Sequence, residues 1–126
     1  MPLVHHELCF GCGRTNVFGL LLEAQHTGPE EVAGRFFIKQ DHQGAEPATA
    51  HEGVLAAALS EAMALACGLQ ARATHLEVSL IGAADVGSFV EVHARVRARE
   101  NGVAHAIASA TLEDDRIAEA RGTYRS

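Results

Sequence analysis

The stretch from His51 to Leu69, HEGVLAAALSEAMALACGL, constrains this chain more than any other. From Val54 to Leu69 only Ser60 and Glu61 are polar, and they are neighbours in the middle of the run. Its Ala, Leu and Met content favours helix, and no proline interrupts it. A helix lying on a surface needs one apolar face, whereas this one is apolar nearly all round and therefore requires burial on several sides. It is too short, and too interrupted by Glu61, to span a bilayer, which takes roughly 20 apolar residues. A lone carboxylate in such a helix is costly unless it has a partner or a chemical role. Glu61 is thus the first candidate functional residue.

A chain of 126 residues makes one domain, 1–126, with room for a single core. Hydrophobic residues at 48% and charged residues at 21% describe a globular protein rather than a disordered one. The net charge of -6 excludes general binding to nucleic acid or to an anionic membrane surface. The N-terminal sequence MPLVHHELCFGCG carries no basic-then-apolar signal pattern, which makes a cytoplasmic location the default expectation. Three cysteines do not describe a disulfide scaffold.

Residues 1–19 read as an irregular segment rich in Gly, Cys and His. Leu20–Gln25 and Val32–Lys39 read as a hairpin around the turn cluster Thr27-Gly28-Pro29-Glu30, and Gln40–Ala50 as a polar loop. Thr49 is a loose candidate cap for the helix, and Gly68 a plausible end. After Gly68 the apolar period changes from 3.6 to 2. Thr74–Ile81, Phe89–Arg99, Val103–Leu112 and Ile117–Tyr124 read as strands. In Phe89–Arg99 the alternation places Arg95, Arg97 and Arg99 on one face. Asn101-Gly102 is a tight-hairpin signal. The expectation is an α+β fold, a hairpin and a four-strand antiparallel meander wrapped as one sheet of about six strands around one long buried helix. Sheet edges and a second face favour a homodimer or a dimer of dimers.

Several residues carry a chemical reading beside a structural one. Glu61 suits a catalytic base, or a buried Glu satisfied by Ser60, an Arg or a backbone N–H. Ser60 could orient water or bond back to its own backbone; no His is spaced to make it a triad nucleophile. His51 sits where it could touch substrate or cap the helix, and Glu52 is favoured there by the helix dipole whatever its role. Cys9 and Cys12, preceded by His5 and His6, are the weak candidates for a metal site, because no second CxxC completes a four-cysteine set. No metal and no cofactor is the expectation. A thioredoxin-type redox site needs a strand–CxxC–helix context that is absent, and Cys67 reads as core.

Taken together, HEGVLAAALSEAM opening the helix and CFGCGRTNVFGL at residues 9–20 resemble the hotdog-fold acyl-CoA thioesterases. The resemblance is to the phenylacetic-acid-degradation thioesterase branch, whose members carry HGGVxAALLDEAM and CFxCGxxNPxGL elements. A looser match is THLEVSLIGAADVGSFVEVHARV. The resemblance implies hydrolysis of an acyl-CoA-type small-molecule thioester at a composite dimer-interface site. A backbone N–H at the segment matching HGG (His51, Glu52, Gly53) would polarise the carbonyl. The Ser60–Glu61 segment of the other chain would supply nucleophile or base. By the same resemblance Asn16 falls in the substrate-binding N-terminal element. The run Arg95, Arg97 and Arg99 reads as a solvated strand face or, with Arg97 and Arg99 foremost, as the remaining candidates for CoA phosphates. The sequence departs from the family at Glu52 (family Gly), at Ser60 (family Asp) and at Gly82-Ala83-Ala84-Asp85 (often Arg-Pro). Glu61 matches the Glu of DEAM, so either Glu61 has taken over as the catalytic carboxylate, or Glu52 acts near the carbonyl, or hydrolysis has been lost. Three readings follow: a thioesterase; a non-hydrolytic hotdog protein binding an acyl- or aryl-CoA-like ligand; and a zinc-dependent interaction module built on residues 5–12.

Overall fold

The computed structural model describes residues 1–126. Strands β1 (Glu23–Gly28) and β2 (Glu31–Phe37) form the first hairpin, followed by a short 3-10 turn, Gln40–His42. Helix α1 (Glu52–Cys67) comes next, then β3 (Arg72–Leu80), β4 (Phe89–Glu100), β5 (Val103–Leu112) and β6 (Asp115–Arg125). All six strands join one antiparallel sheet in the order β1-β2-β4-β5-β6-β3.

This order corrects the expected meander. The strand after the helix pairs with β6 at the far edge, and β4 returns to the centre beside β2. The cause is the helix itself: α1 packs on β2, β4, β5, β6 and β3, so it delivers the chain to the opposite edge. Asn101-Gly102 and Glu113-Asp114 both have positive φ at their two central residues, the pattern of tight two-residue hairpins between right-twisted strands.

No residue of α1 beyond Gly53 is exposed, as its composition demands. Leu55, Ala58, Leu59, Ala62, Met63, Leu65 and Ala66 join one core with Leu20, Leu22, Phe36, Ile38, Val90 and Tyr124. The helix is capped by His51, not Thr49: the Gly53 N–H donates to His51 Nδ1 at 2.7 Å. Gly68 ends it with φ 134°, a region that disfavours side chains, and its N–H donates to the Ala64 carbonyl.

The arginine face of β4 is broken by a bulge. Val96 lies opposite Ala106 but Ala98 opposite His105, so the alternation slips by one at Arg97. Beyond the slip Arg99 lies opposite the buried Ala104. It donates to the Cys67 carbonyl at 2.6 Å and pairs with Glu30, placing a cation at the C-terminus of α1 where the dipole favours it. Arg95, Arg97 and Arg99 therefore do not share one face.

His42 is the one buried polar residue outside the helix. Its Nδ1 accepts from the Lys39 N–H and its Nε2 has no partner. Burial, with the Lys39 charge, holds its pKa below the usual imidazole value; the Gly19 backbone and Asp41 oppose this less strongly. A base with a depressed folded pKa contributes stability above its unfolded pKa, lost as pH falls below that value. Thermal unfolding should thus show a fall in Tm below about pH 6.5. His42→Asn, which keeps an acceptor for Lys39 N–H, should show a smaller fall.

Candidate functional site

Two groups of residues stand out, one at each end of the chemistry that the sequence suggested. The first is the start of α1. His51 and Glu52 are exposed, and the His51 side chain already occupies the Gly53 N–H. The Val54 N–H donates to the His51 carbonyl. The Glu52 N–H has no acceptor within the chain and lies at the positive end of the helix dipole. It is the free donor that an anion or polarised carbonyl would meet.

The second group lies midway along the helix. The N-terminal segment folds back over α1 through a set of backbone bonds: Leu3 N–H to Ala24, Leu20 N–H to Phe10 and Leu22 N–H to Gly11. Arg14 donates to the Cys12 and Leu22 carbonyls, fixing the loop. This brings His5, Cys9 and Cys12 onto Glu61. His5 Nδ1 is 2.8 Å from Glu61 Oε2, 3.4 Å from Cys12 Sγ and 3.7 Å from Cys9 Sγ. The Cys9 thiol donates to Glu61 Oε2 at 3.5 Å, and the His5 N–H donates to Cys12 Sγ at 3.2 Å. Gly11 is required for this approach, since a Cβ there would sit 2.4 Å from Glu61 Cγ and Cδ. Burial first, then the Glu61 carboxylate, pushes the Cys12 thiol far above the ordinary thiol range.

Ser60 has a different partner. The Tyr124 hydroxyl donates to the Ser60 carbonyl at 2.9 Å, and Ser60 Oγ is 3.0 Å from Tyr124 Oη. With its own proton committed, Tyr124 accepts from the Ser60 hydroxyl. Burial drives the Tyr124 pKa up to about 12, which keeps the phenol protonated and the pair intact.

A cavity of about 430 Å³ opens over this region. It is lined by His5, Cys9, Ser60 and Glu61 and by Leu69–Ala73 at the start of edge strand β3. The structure thus joins Glu61 and Ser60 to one cavity and adds Arg72, a cation at its rim that the sequence did not single out. The candidates His51, Glu52 and Gly53 lie about 13 Å along the helix from Glu61. Arg97 lines a groove on the outer face of the sheet and Arg99 is held at the helix C-terminus; neither borders the cavity. Asn16 donates to the Leu8 carbonyl and accepts from the Phe18 N–H, so it shapes the loop. His6 accepts from the Leu8 N–H and stands outside the cluster, which corrects its place among the metal candidates. Glu61 takes that place, and no local spacing pattern could have shown this across the 55 residues between it and His5.

No protein-family model matches the sequence, and no curated protein does. Solved structures do match. A mutant form of the phenylacetic acid degradation protein PaaI from Thermus thermophilus is 25% identical, with a TM-score of 0.76 over 82% of this chain and 91% of that one. A putative thioesterase, a phenylacetic acid degradation-related protein from Ralstonia eutropha, is 16% identical, with a TM-score of 0.77 over 85% and 86%. Zebra fish thioesterase superfamily member 2 is 19% identical, with a TM-score of 0.74 over 82% and 80%. The fold is the hotdog fold that these thioesterase-superfamily structures share. The likeness is to the PaaI-like and thioesterase-superfamily structures that the sequence motifs indicated.

Gly11→Ala should force Glu61 away from His5 and destabilise the protein by about 1–3 kcal/mol, as overpacking does. The check is a lowered urea midpoint with an unchanged m-value.

Proposed function

We propose that this hotdog protein hydrolyses an acyl-CoA or related thioester at a composite site between two copies of the chain. The observation that carries the reading is the free Glu52 N–H at an open helix N-terminus, on a thioesterase-superfamily fold whose α1 also presents a carboxylate to a cavity. The thioester carbonyl would sit on the Glu52 N–H of one chain, where the helix dipole favours the developing oxyanion. Glu61 from the other chain would act as base for water or as nucleophile. Two chains are required because about 13 Å of helix separates the two groups within one.

Edge strand β3 supports the pairing. It offers an unpaired edge with Leu76 and Leu80 exposed, and Ile81 follows at its end; the Glu61 cavity opens along its first residues. A second β3 laid antiparallel against it would continue the sheet and close the cavity. No helix is long and apolar enough to cross a membrane, consistent with a CoA-linked substrate met in water.

A second reading, non-hydrolytic binding of an acyl- or aryl-CoA-like ligand, is favoured by one observation. Ser60 stands where the family has Asp and is committed to Tyr124, while Glu61 is held by His5.

The test is hydrolysis of a panel of acyl- and aryl-CoA thioesters, followed as free thiol, with the mass in solution checked for a multiple of 13.3 kDa. Glu61→Ala should lower turnover by about 10²–10⁴, while Ser60→Ala should retain most of it. Proline is tolerated at the first helical position, so Glu52→Pro removes the N–H without breaking α1. It should lower kcat by about 10²–10³, whereas Glu52→Ala, which keeps the N–H, should not. Absence of turnover by the wild type across the panel, with saturable binding of a CoA thioester, would select the binding reading.

A further inference from the structure

The Glu61 oxygen, the His5 ring nitrogen and the two cysteine sulfurs lie within 4.8 Å of one another, and hydrogen bonding alone does not account for their convergence. His5 Nδ1 is approached by one oxygen and two sulfurs, at 2.8, 3.4 and 3.7 Å. A ring nitrogen carries at most one proton, so it can satisfy one of the three. Four lone-pair donors gathered this closely are the kind of ligand set that suits a cation. The geometry points to a divalent zinc-type site in which His5 Nδ1, Cys9 Sγ, Cys12 Sγ and Glu61 Oε2 are the four ligands.

The spacings support that assignment. A tetrahedral zinc ion with ordinary bond lengths separates nitrogen or oxygen from sulfur by about 3.5 Å, and nitrogen from oxygen by about 3.3 Å. The N···S distances of 3.4 and 3.7 Å and the O···S distance of 3.5 Å already match. The 2.8 Å N···O contact would have to open by about half an ångström, and the widest spacing in the set, up to 4.8 Å, would have to close by about one ångström. Two thiolates with an imidazole select a borderline-soft ion over magnesium or calcium, which take oxygen ligands, and an iron–sulfur cluster wants more cysteines. Around the ligands, the His5 backbone N–H donates to Cys12 Sγ, the kind of outer contact that steadies a ligating sulfur. Gly11 leaves the space into which Glu61 fits. Such an ion would fasten the N-terminal segment to the middle of α1 beside the cavity. The site is defined by its ligand chemistry and does not depend on the protein's being a hydrolase; while the ion is bound, Glu61 Oε2 is a ligand and is withdrawn from the base role proposed above.

The experiment is metal analysis of untagged, reduced protein, followed by titration of the metal-free protein with Zn²⁺ and with Co²⁺. The expected result is one zinc per chain surviving gel filtration. Co²⁺ should give tetrahedral visible bands with thiolate charge-transfer absorption. Cys12 is fully buried in the core, so its substitution risks misfolding; Cys9→Ser, His5→Ala and Glu61→Gln are the informative variants. Each should weaken Zn²⁺ binding by more than the roughly 10- to 100-fold that loss of an outer-shell partner costs. His6→Ala should bind as the wild type does. No retained zinc and no Co²⁺ spectrum, in protein whose three thiols titrate as free, would overturn the site. Unchanged affinity and spectrum in Glu61→Gln would overturn the assignment of the fourth ligand.

Discussion

Burial of α1 against one face of the sheet is the constraint on which the rest of this structure depends. A 16-residue helix with eight buried residues gains stability only if the sheet curves around it, and each buried Leu or Met side chain contributes about 1.5–3 kcal/mol by leaving water. The small residues along it let the strands come close. The same burial creates the electrostatic problem of the fold. Glu61 sits in the middle of that helix with its side chain only 13% exposed, where a carboxylate without a partner is destabilising.

The N-terminal segment resolves that problem. It has little regular structure of its own, yet its backbone bonds to β1 and to the stretch before it place His5 and two thiols on the carboxylate. Removing one partner would leave the other polar group part-buried without its hydrogen bond, which costs about 1–3 kcal/mol. Ser60 is settled independently by Tyr124 from β6. The two adjacent polar residues of the helix are thus satisfied by different partners, one by the first residues of the chain and one by nearly the last. The roughly 100° rotation between successive helical residues makes this division possible.

On the proposed reading, helix N-terminus and helix middle carry different roles. The Glu52 N–H has no acceptor within the chain, while the exposed His51 side chain caps the next donor, Gly53. Glu61 is not an isolated base but one member of a Cys/His/Glu cluster. On the proposed reading its availability is governed by what occupies that cluster.

Much of this was legible in the sequence because it is local. The apolar run with Ser60-Glu61 at its centre, the Gly68 terminus, the Asn101-Gly102 hairpin and the bounds of β5 all follow from short-range periodicity and backbone preference, and each stands in the structure as read. The motifs HEGVLAAALSEAM and CFGCGRTNVFGL carried the fold resemblance in the same way. What only the tertiary structure decided is non-local. The placement of β3 beyond β6 depends on where the helix leaves the sheet. The bulge at Arg97 turned Arg99 from an outward cation into a helix cap. The replacement of His6 by Glu61 in the cluster required the first dozen residues to fold across the helix. Sequence spacing reports which side chains share one element's face. It says nothing of which elements meet, because that is fixed by burial of the whole helix at once.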